Sequence, residues 1–305
     1  MEFKHKPVLL NQVVSGLNIR PDGVYLDCTV GGAGHSAEIA KQLGKNGMLF
    51  CVDKDQQALD ASAKKLQQFD NVKFIKSDYN FLQDKLIGLE FDGILIDLGV
   101  SSHQIDTPER GFSFLHDGPL DMRMDQTQEL TAFDVVNTYS KQQLEKILFE
   151  YGEEFNAKII VRAILEHRAQ NPIRTTKQLV DIIENCLPAK FKFRGASKKT
   201  FQAIRIEVNG ELDRLNKTLE FLVSKLKKGG RLAVITFHSL EDRIVKQTFS
   251  SLATSCVCPP HTPICICGKK QIVSLVNKKP ISASEQELAD NPRARSAHLR
   301  ICQKC

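Results

Sequence analysis

No apolar run in this chain approaches the roughly 20 residues that a membrane-spanning helix needs. No leader with a sustained apolar core opens it, and it holds no repeat of fixed period and no low-complexity tract. Charge of one sign does not dominate: 42 Lys and Arg stand against 36 Asp and Glu, a formal net of +6. Nine cysteines, an odd number spread over 305 residues, do not read as a disulfide framework. The expectation from these absences is a globular protein of a reducing, cytoplasmic compartment with no membrane association.

What is present is ordinary in bulk. The hydrophobic share is 42% and the charged share 26%, values of a chain that buries a large core. A length of 305 residues suits one large domain plus an insertion. The basic balance is compatible with a nucleic-acid partner without demanding one.

The organising stretch is Tyr25–Ser36, YLDCTVGGAGHS. An apolar run, Val24-Tyr25-Leu26, ends in Asp27. Gly31, Gly32 and Gly34 follow, and then a helical pattern starts at Ser36. A strand, a glycine turn and a helix start together offer close backbone approach and unpaired N–H groups to a nucleotide-like cofactor. Further strands are predicted at Met48–Val52, Val72–Ile75 and Phe91–Ile96, the second of them followed by a helical piece, Phe81–Leu86. Acids follow the strands at Asp53, Asp78 and Asp97. Strands alternating with helices predict an α/β fold, a mostly parallel sheet with helices on both faces. Ligands of such sheets sit beyond the carboxyl ends of the strands, where these acids fall. Asp53 lies at the distance where an acid meets ribose hydroxyls. Asp78 and Tyr79 are placed to meet an adenine, and Asp97 to sit where substrate meets cofactor.

Two cofactors fit that turn. Gly32-Ala33-Gly34-His35-Ser36-Ala37 satisfies the GxGxxA dinucleotide pattern, which keeps NAD in play. Asp27 argues the other way. An acid ahead of the glycines repels a pyrophosphate but suits the cationic amino-acid end of S-adenosylmethionine.

After Asp97 comes a polar connection through Leu98–Asp106, Arg110–Phe114 and Gly118–Asp125. Its Phe, Met and Arg content reads as a loop that caps the cofactor or holds the substrate. Consecutive helices are predicted from Thr131 to Cys186, with Thr131, Ser140 and Thr176 as N-caps. Lys190–Phe201 interleaves five basic residues with three Phe, a pattern for phosphate tracking and base stacking. A long helix from Thr200 to Leu226 is predicted to stop at Gly229-Gly230, before a fifth strand at Arg231–Phe237. His238-Ser239-Leu240-Glu241 then follows at the site end, and a helix over Asp242–Leu252 ends the sheet domain's regular part. The tail carries Cys256, Cys258, Cys265 and Cys267 as two Cys-x-Cys pairs. Zinc and reduced, packed thiols both stay open there, and no metal ligand is assigned. The basic run NPRARSAHLR at residues 291–300 is placed to reach phosphate.

With these segments in hand, the chain resembles the bacterial 16S ribosomal RNA cytosine-N(4) methyltransferases of the MraW type, which use S-adenosylmethionine. The stretches that carry the resemblance are HKPVLL, TVGGAGHS, IDLGVSS, RGFSF, DGPLDMRMD, TFQAIRIEVNGEL, RLAVITFHSLEDRIVK, CPP and NPRARSAHLR. They run from end to end. The resemblance implies a class I methyltransferase, Rossmann-like sheet of seven strands with an inserted all-helical domain. It implies residues 1–107 and 212–305 as the cofactor-binding domain and 108–211 as the substrate-recognition insert. It also implies that Ala33, Gly34, His35, Asp53, Tyr79, Asp97 and Gln104 contact the cofactor. The implied reaction is methyl transfer to a cytosine in the decoding region of 16S rRNA, on RNA or on the small subunit. Oligomeric state stays open, a homodimer included. Five positions depart from the family pattern: Ala33 where Gly is usual, Tyr79 where Phe is usual, His103 where Pro is usual, and the pair Leu115-His116.

The exocyclic amine of cytosine is a poor nucleophile, so an acceptor for its proton is expected. Amino methyltransferases commonly place an Asp/Asn/Ser-Pro-Pro-aromatic motif after the fourth strand. Here that position reads Asp97-Leu98-Gly99-Val100, leaving Asp97 as the candidate catalytic residue. The backbone carbonyls of Leu98–Ser101 and His238 are further candidates. A nicotinamide-dependent oxidoreductase and a non-catalytic RNA-binding assembly factor are the competing readings.

Overall fold

The computed structural model describes residues 7–188, 195–259 and 266–305. It divides into two compact units, Met1–Gly99 with Arg214–Cys305, and Val100–Asp213.

The first unit is built on one eight-stranded sheet. The strands are β1 (Val24–Asp27), β2 (Met48–Asp53), β3 (Val72–Lys76), β4 (Phe91–Asp97), β5 (Leu226–Thr236), β6 (Val273–Leu275), β7 (Ile281–Ser282) and β8 (His298–Lys304). Their order is β3-β2-β1-β4-β5-β8-β6, with β7 also pairing β8. The first five are parallel, and β8 runs antiparallel to β5. The expected seven strands are therefore eight. β4 is buried along nearly its whole length, as a strand covered on both faces must be. Two separate apolar clusters account for that burial. One gathers Leu26, Phe50, Ile94, Leu219, Leu222 and Phe249. The other gathers Leu9, Val13, Leu17, Ile39, Leu49 and Ile301.

Several expectations shift. Gly229-Gly230 does not stop a helix: both lie inside β5, where a Cβ on Gly230 would come within 2.9 Å of the Phe91 carbonyl oxygen. The long helix is two, Ala196–Asn209 and Leu215–Ser224, parted by Gly210 in the left-handed region at φ 59°. The helical piece after β3 is a single 3-10 turn, Tyr79–Phe81. The helix expected over Asp242–Leu252 runs Ser239–Ala253, and it does not end the regular part, because a further helix, Glu285–Asp290, and the strands β6 to β8 follow. The tail supplies β8, and its Arg300 is 8% exposed. Its guanidinium donates to both Asp242 carboxylate oxygens at 2.7 and 2.8 Å, so it is held in the fold rather than offered to phosphate.

In the second unit the described residues form helices and 3-10 turns, with one isolated bridge between Pro119 and Thr175. Thr131 and Ser140 cap their helices through reciprocal bonds with Asp134 and Gln143. The next cap is Thr175 rather than Thr176. The connection read as a site loop is largely core. Phe112, Leu120, Met122 and Met124 are buried together with Leu148, Ile164 and Phe201. The Arg110 guanidinium, 2% exposed, donates to the carbonyls of Arg123 and Met124 at 2.9 Å each. Asn209 accepts from Met124 N–H and donates to the Met122 carbonyl, both at 2.8 Å. Two glycines let this loop fold back on itself: a Cβ on Gly111 would stand 2.1 Å from the Pro119 oxygen. The connection also holds a short helix, Ser102–Asp106, where none was expected. Of the basic-aromatic strip, residues 189–194 lie outside the described residues. Phe201 is a core side chain packed edge-on to Phe114.

Candidate cofactor site at the strand ends

Hydrogen bonds tie the glycine turn after β1 to its neighbours. Val30 N–H donates to the Val52 carbonyl at 2.9 Å, and Gly31 N–H to Asp53 Oδ2 at 2.9 Å. Gly31 and Ala33 sit in the left-handed region at φ 47° and 54°. For Ala33 that conformation is strained, by about 1 kcal/mol relative to glycine. No side chain caps the helix Gly34–Gln42 that follows. Gly34 is needed for packing: a Cβ there would meet Pro7 at 2.9 Å.

Asp27 ends β1 but does not line the mouth. It is 1% exposed, and it accepts from Ser36 Oγ–H at 2.6 Å and Thr29 N–H at 3.1 Å. Burial pushes its carboxyl up to about 6, against those two bonds. Asp53 ends β2, accepts from Gly31 and Asp55 N–H at 2.9 Å each, and is also pushed up to about 6 by burial.

Asp97 ends β4, and its N–H donates to Thr29 Oγ at 2.7 Å. Its carboxyl is raised well above the usual range by burial, then by the charges of Asp27 and Glu241. Oδ2 lies 3.8 Å from His35 Nδ1, while Oδ1 is buried with no hydrogen-bond partner. His35 Nε2 donates to the Val8 carbonyl at 2.9 Å. Since a carbonyl only accepts, that nitrogen carries the proton, and Nδ1 faces the acid.

The remaining predicted residues take varied places. Asp78 caps the 3-10 turn through Asn80 N–H at 2.8 Å and pairs with Lys54 at 3.4 Å. Tyr79 opens that turn. Gln104 belongs to the second unit, on Ser102–Asp106, where its Oε1 accepts from Ser101 N–H at 3.0 Å. His238 is the N-cap of Ser239–Ala253, and its Nε2 stands 3.1 Å from Glu241 Oε1. Its Nδ1 accepts from Glu241 N–H at 3.4 Å, which makes it a helix cap. Thr29, Ser36 and Glu241 were not singled out from sequence. Thr29 and Ser36 fall in the glycine stretch, so their signal was position alone. Glu241 sits three residues past a cap, a spacing that marks a capping box.

Buried carboxylates on β1, β2 and β4 thus gather at the strand ends, Asp27 beneath the mouth and Asp97 with an orphaned oxygen, and no lysine or arginine pairs with Asp27, Asp53 or Asp97 in the ion pairs of the described residues. Two unit charges near 4 Å interact by about 4 kcal/mol at an effective dielectric of 20, so such a mouth favours a cation and disfavours a pyrophosphate. The residues fit the sulfonium and ammonium groups of S-adenosylmethionine.

A parallel sheet with an antiparallel strand beside its fifth, a glycine turn after the first and acids at the strand ends is the fold of a class I methyltransferase. The chain belongs to the MraW methylase family, which it matches over residues 2–305. It is similar to the ribosomal RNA small subunit methyltransferase H of Clostridioides difficile (strain 630), at 50% identity over 310 residues and 100% of both chains. It is likewise similar to the protein of that name from Ruminiclostridium cellulolyticum, at 51% identity over 312 residues and 100% of both chains. The nicotinamide reading gives way to this family membership.

Proposed function

We propose that the protein transfers a methyl group from S-adenosylmethionine to the exocyclic N(4) amine of a cytosine in the decoding region of 16S rRNA. The observation that carries this reading is Asp97: an acid at the end of β4 with one buried oxygen left without a partner. Ala33, Gly34, His35, Asp53, Tyr79 and Asp97 hold the cofactor, and the family resemblance adds Gln104. Bound there, the cofactor supplies an electrophilic methyl group.

Asp97 then acts on the nucleophile. Its orphaned oxygen accepts a hydrogen bond from the amine, localises the nitrogen lone pair and receives the proton that the amine loses as its new N–C bond forms. The carboxyl must be ionised to do so, and a cation beside it favours that state. The base must enter unstacked, from a single-stranded or opened segment. The substrate is 16S rRNA or the small subunit carrying it, which places the enzyme in the cytoplasm.

The test is transfer of labelled methyl to naked 16S rRNA and to isolated small subunits, with mass mapping of the product. Label on one cytosine N(4) is expected, with Asp97→Asn lowering kcat by about 100-fold or more. Label on a base carbon, or undiminished turnover by Asp97→Asn, would refute the assignment.

A further inference from the structure

Cys256, Cys258 and Cys267 lie in sequence between the helix Ser239–Ala253 and β6. Their three sulfurs fall within 4.8 Å of one another, and Cys256 Sγ stands 3.9 Å from Cys267 Sγ. A tetrahedral site with metal–sulfur bonds of 2.3 Å has sulfur–sulfur edges of about 3.8 Å. The Cys256–Cys267 separation already matches one.

Packing does not explain this convergence. Cys28, Cys51 and Cys302 are thiols buried in the core, whereas Cys256 is exposed and Cys258 and Cys267 are half-buried. The apolar neighbours point the wrong way for a small core: Val257 is 60% exposed and Ile266 85%. A segment that brings three sulfurs together while its aliphatic side chains face water is organised by the sulfurs. Backbone donors are aimed at them as well. Cys258 N–H points to Cys256 Sγ at 3.4 Å, and Val257 N–H to Cys267 Sγ at 3.5 Å. N–H donors directed at sulfur are the outer-shell contacts of metal–thiolate sites. Gly268, directly after Cys267, takes φ 62° and turns the chain away. Lys269 and Lys270 follow, bringing positive charge close to the cluster in sequence.

We propose that Cys256, Cys258 and Cys267 bind a thiophilic divalent cation, zinc, as a structural tie that fixes the connection between the helix and the sheet edge. The three thiolates fill three corners of a tetrahedron. Zinc suits them because it prefers sulfur, imposes no other geometry and undergoes no redox change. The tie substitutes for the apolar core that this stretch lacks. It is independent of methyl transfer, and its test does not read activity.

The full-length protein is purified under reducing conditions from zinc-supplemented growth and its metal content is measured by mass spectrometry. About one zinc per chain is expected, falling below about 0.1 in the Cys256→Ser/Cys258→Ser double variant. The zinc-free wild-type protein is then titrated with cobalt(II) alone. A thiolate-to-cobalt charge-transfer band with tetrahedral d–d bands, displaced by one equivalent of zinc, supports the site and separates it from adventitious surface metal. Wild-type protein that takes up neither metal, zinc retained by the double variant, or cobalt bound with only octahedral, thiolate-free bands would overturn it. A disulfide between Cys256 and Cys267 under reducing conditions would overturn it too.

Discussion

Asp27 holds two opposed roles in one side chain. Its folded pKa of about 6 stands above the ordinary value of 3.8, so the folded protein binds more protons than the unfolded chain in that window. Its contribution to stability is present below about pH 4 and is lost as pH rises through 6. The shift of about two pH units corresponds to about 3 kcal/mol. Asp27→Asn is therefore expected to stabilise the cofactor-free protein by about 1–3 kcal/mol at pH 7.5, with the gain vanishing near pH 4. The same variant should bind S-adenosylmethionine about tenfold more weakly. Denaturant unfolding at the two pH values, alongside calorimetry, checks both signs. A variant destabilised at pH 7.5 would show that the bonds from Ser36 and Thr29 outweigh burial. At this scale the sequence was legible wherever an acid ended a strand. It was not legible for side-chain direction: nothing in YLDCT tells that Asp27 turns under the loop toward Ser36 while Asp97 keeps an oxygen unpaired.

Among the elements, those read best have their signals close together in sequence. The strands ending at Asp27, Asp53 and Asp97, and the caps Thr131 and Ser140, follow from alternation and from a hydroxyl three residues ahead of an acid or amide. The elements read worst depend on distant partners. β8 looked like a basic tail because its arginine is neutralised by Asp242, 58 residues away. β5 takes in a Gly-Gly pair because Gly230 must pass close to the Phe91 carbonyl. The connection Arg110–Asp125 is polar in composition yet folds as core, because Arg110 and Asn209 satisfy its carbonyls from within. Asn209→Ala would leave the Met124 N–H and the Met122 carbonyl buried without partners. It should lower stability by about 2–3 kcal/mol, read as a lower midpoint in denaturant. A loss under about 0.5 kcal/mol would mean the loop is not held this way.

For the molecule as a whole, five parallel strands carry the site, and three strands from the tail complete the sheet: β8, antiparallel to β5, with β6 and β7 antiparallel to β8. The placement has a consequence for charge. The chain is basic, with a net of +6, yet Asp27, Asp53 and Asp97 converge at one end of the sheet. A basic net balance is compatible with an RNA, and acids at the strand ends suit a cationic cofactor. Both features belong to one sequence because the parallel sheet sends every strand's carboxyl end to the same side. Among the described residues no helix is long and apolar enough to cross a membrane.

The central claim is that ionised acids at the strand ends hold a positively charged methyl donor. It is tested most directly by calorimetric titration of wild-type protein with S-adenosylmethionine from pH 8 to pH 5, beside S-adenosylhomocysteine, a thioether that keeps the ammonium group but lacks the sulfonium charge. Binding of the sulfonium should weaken by about tenfold to a hundredfold per unit once pH falls below about 6, as one or both of Asp27 and Asp53 take up protons. The thioether should show a shallower slope. Equal affinities across the range for both ligands, or sulfonium binding that strengthens on acidification, would contradict it.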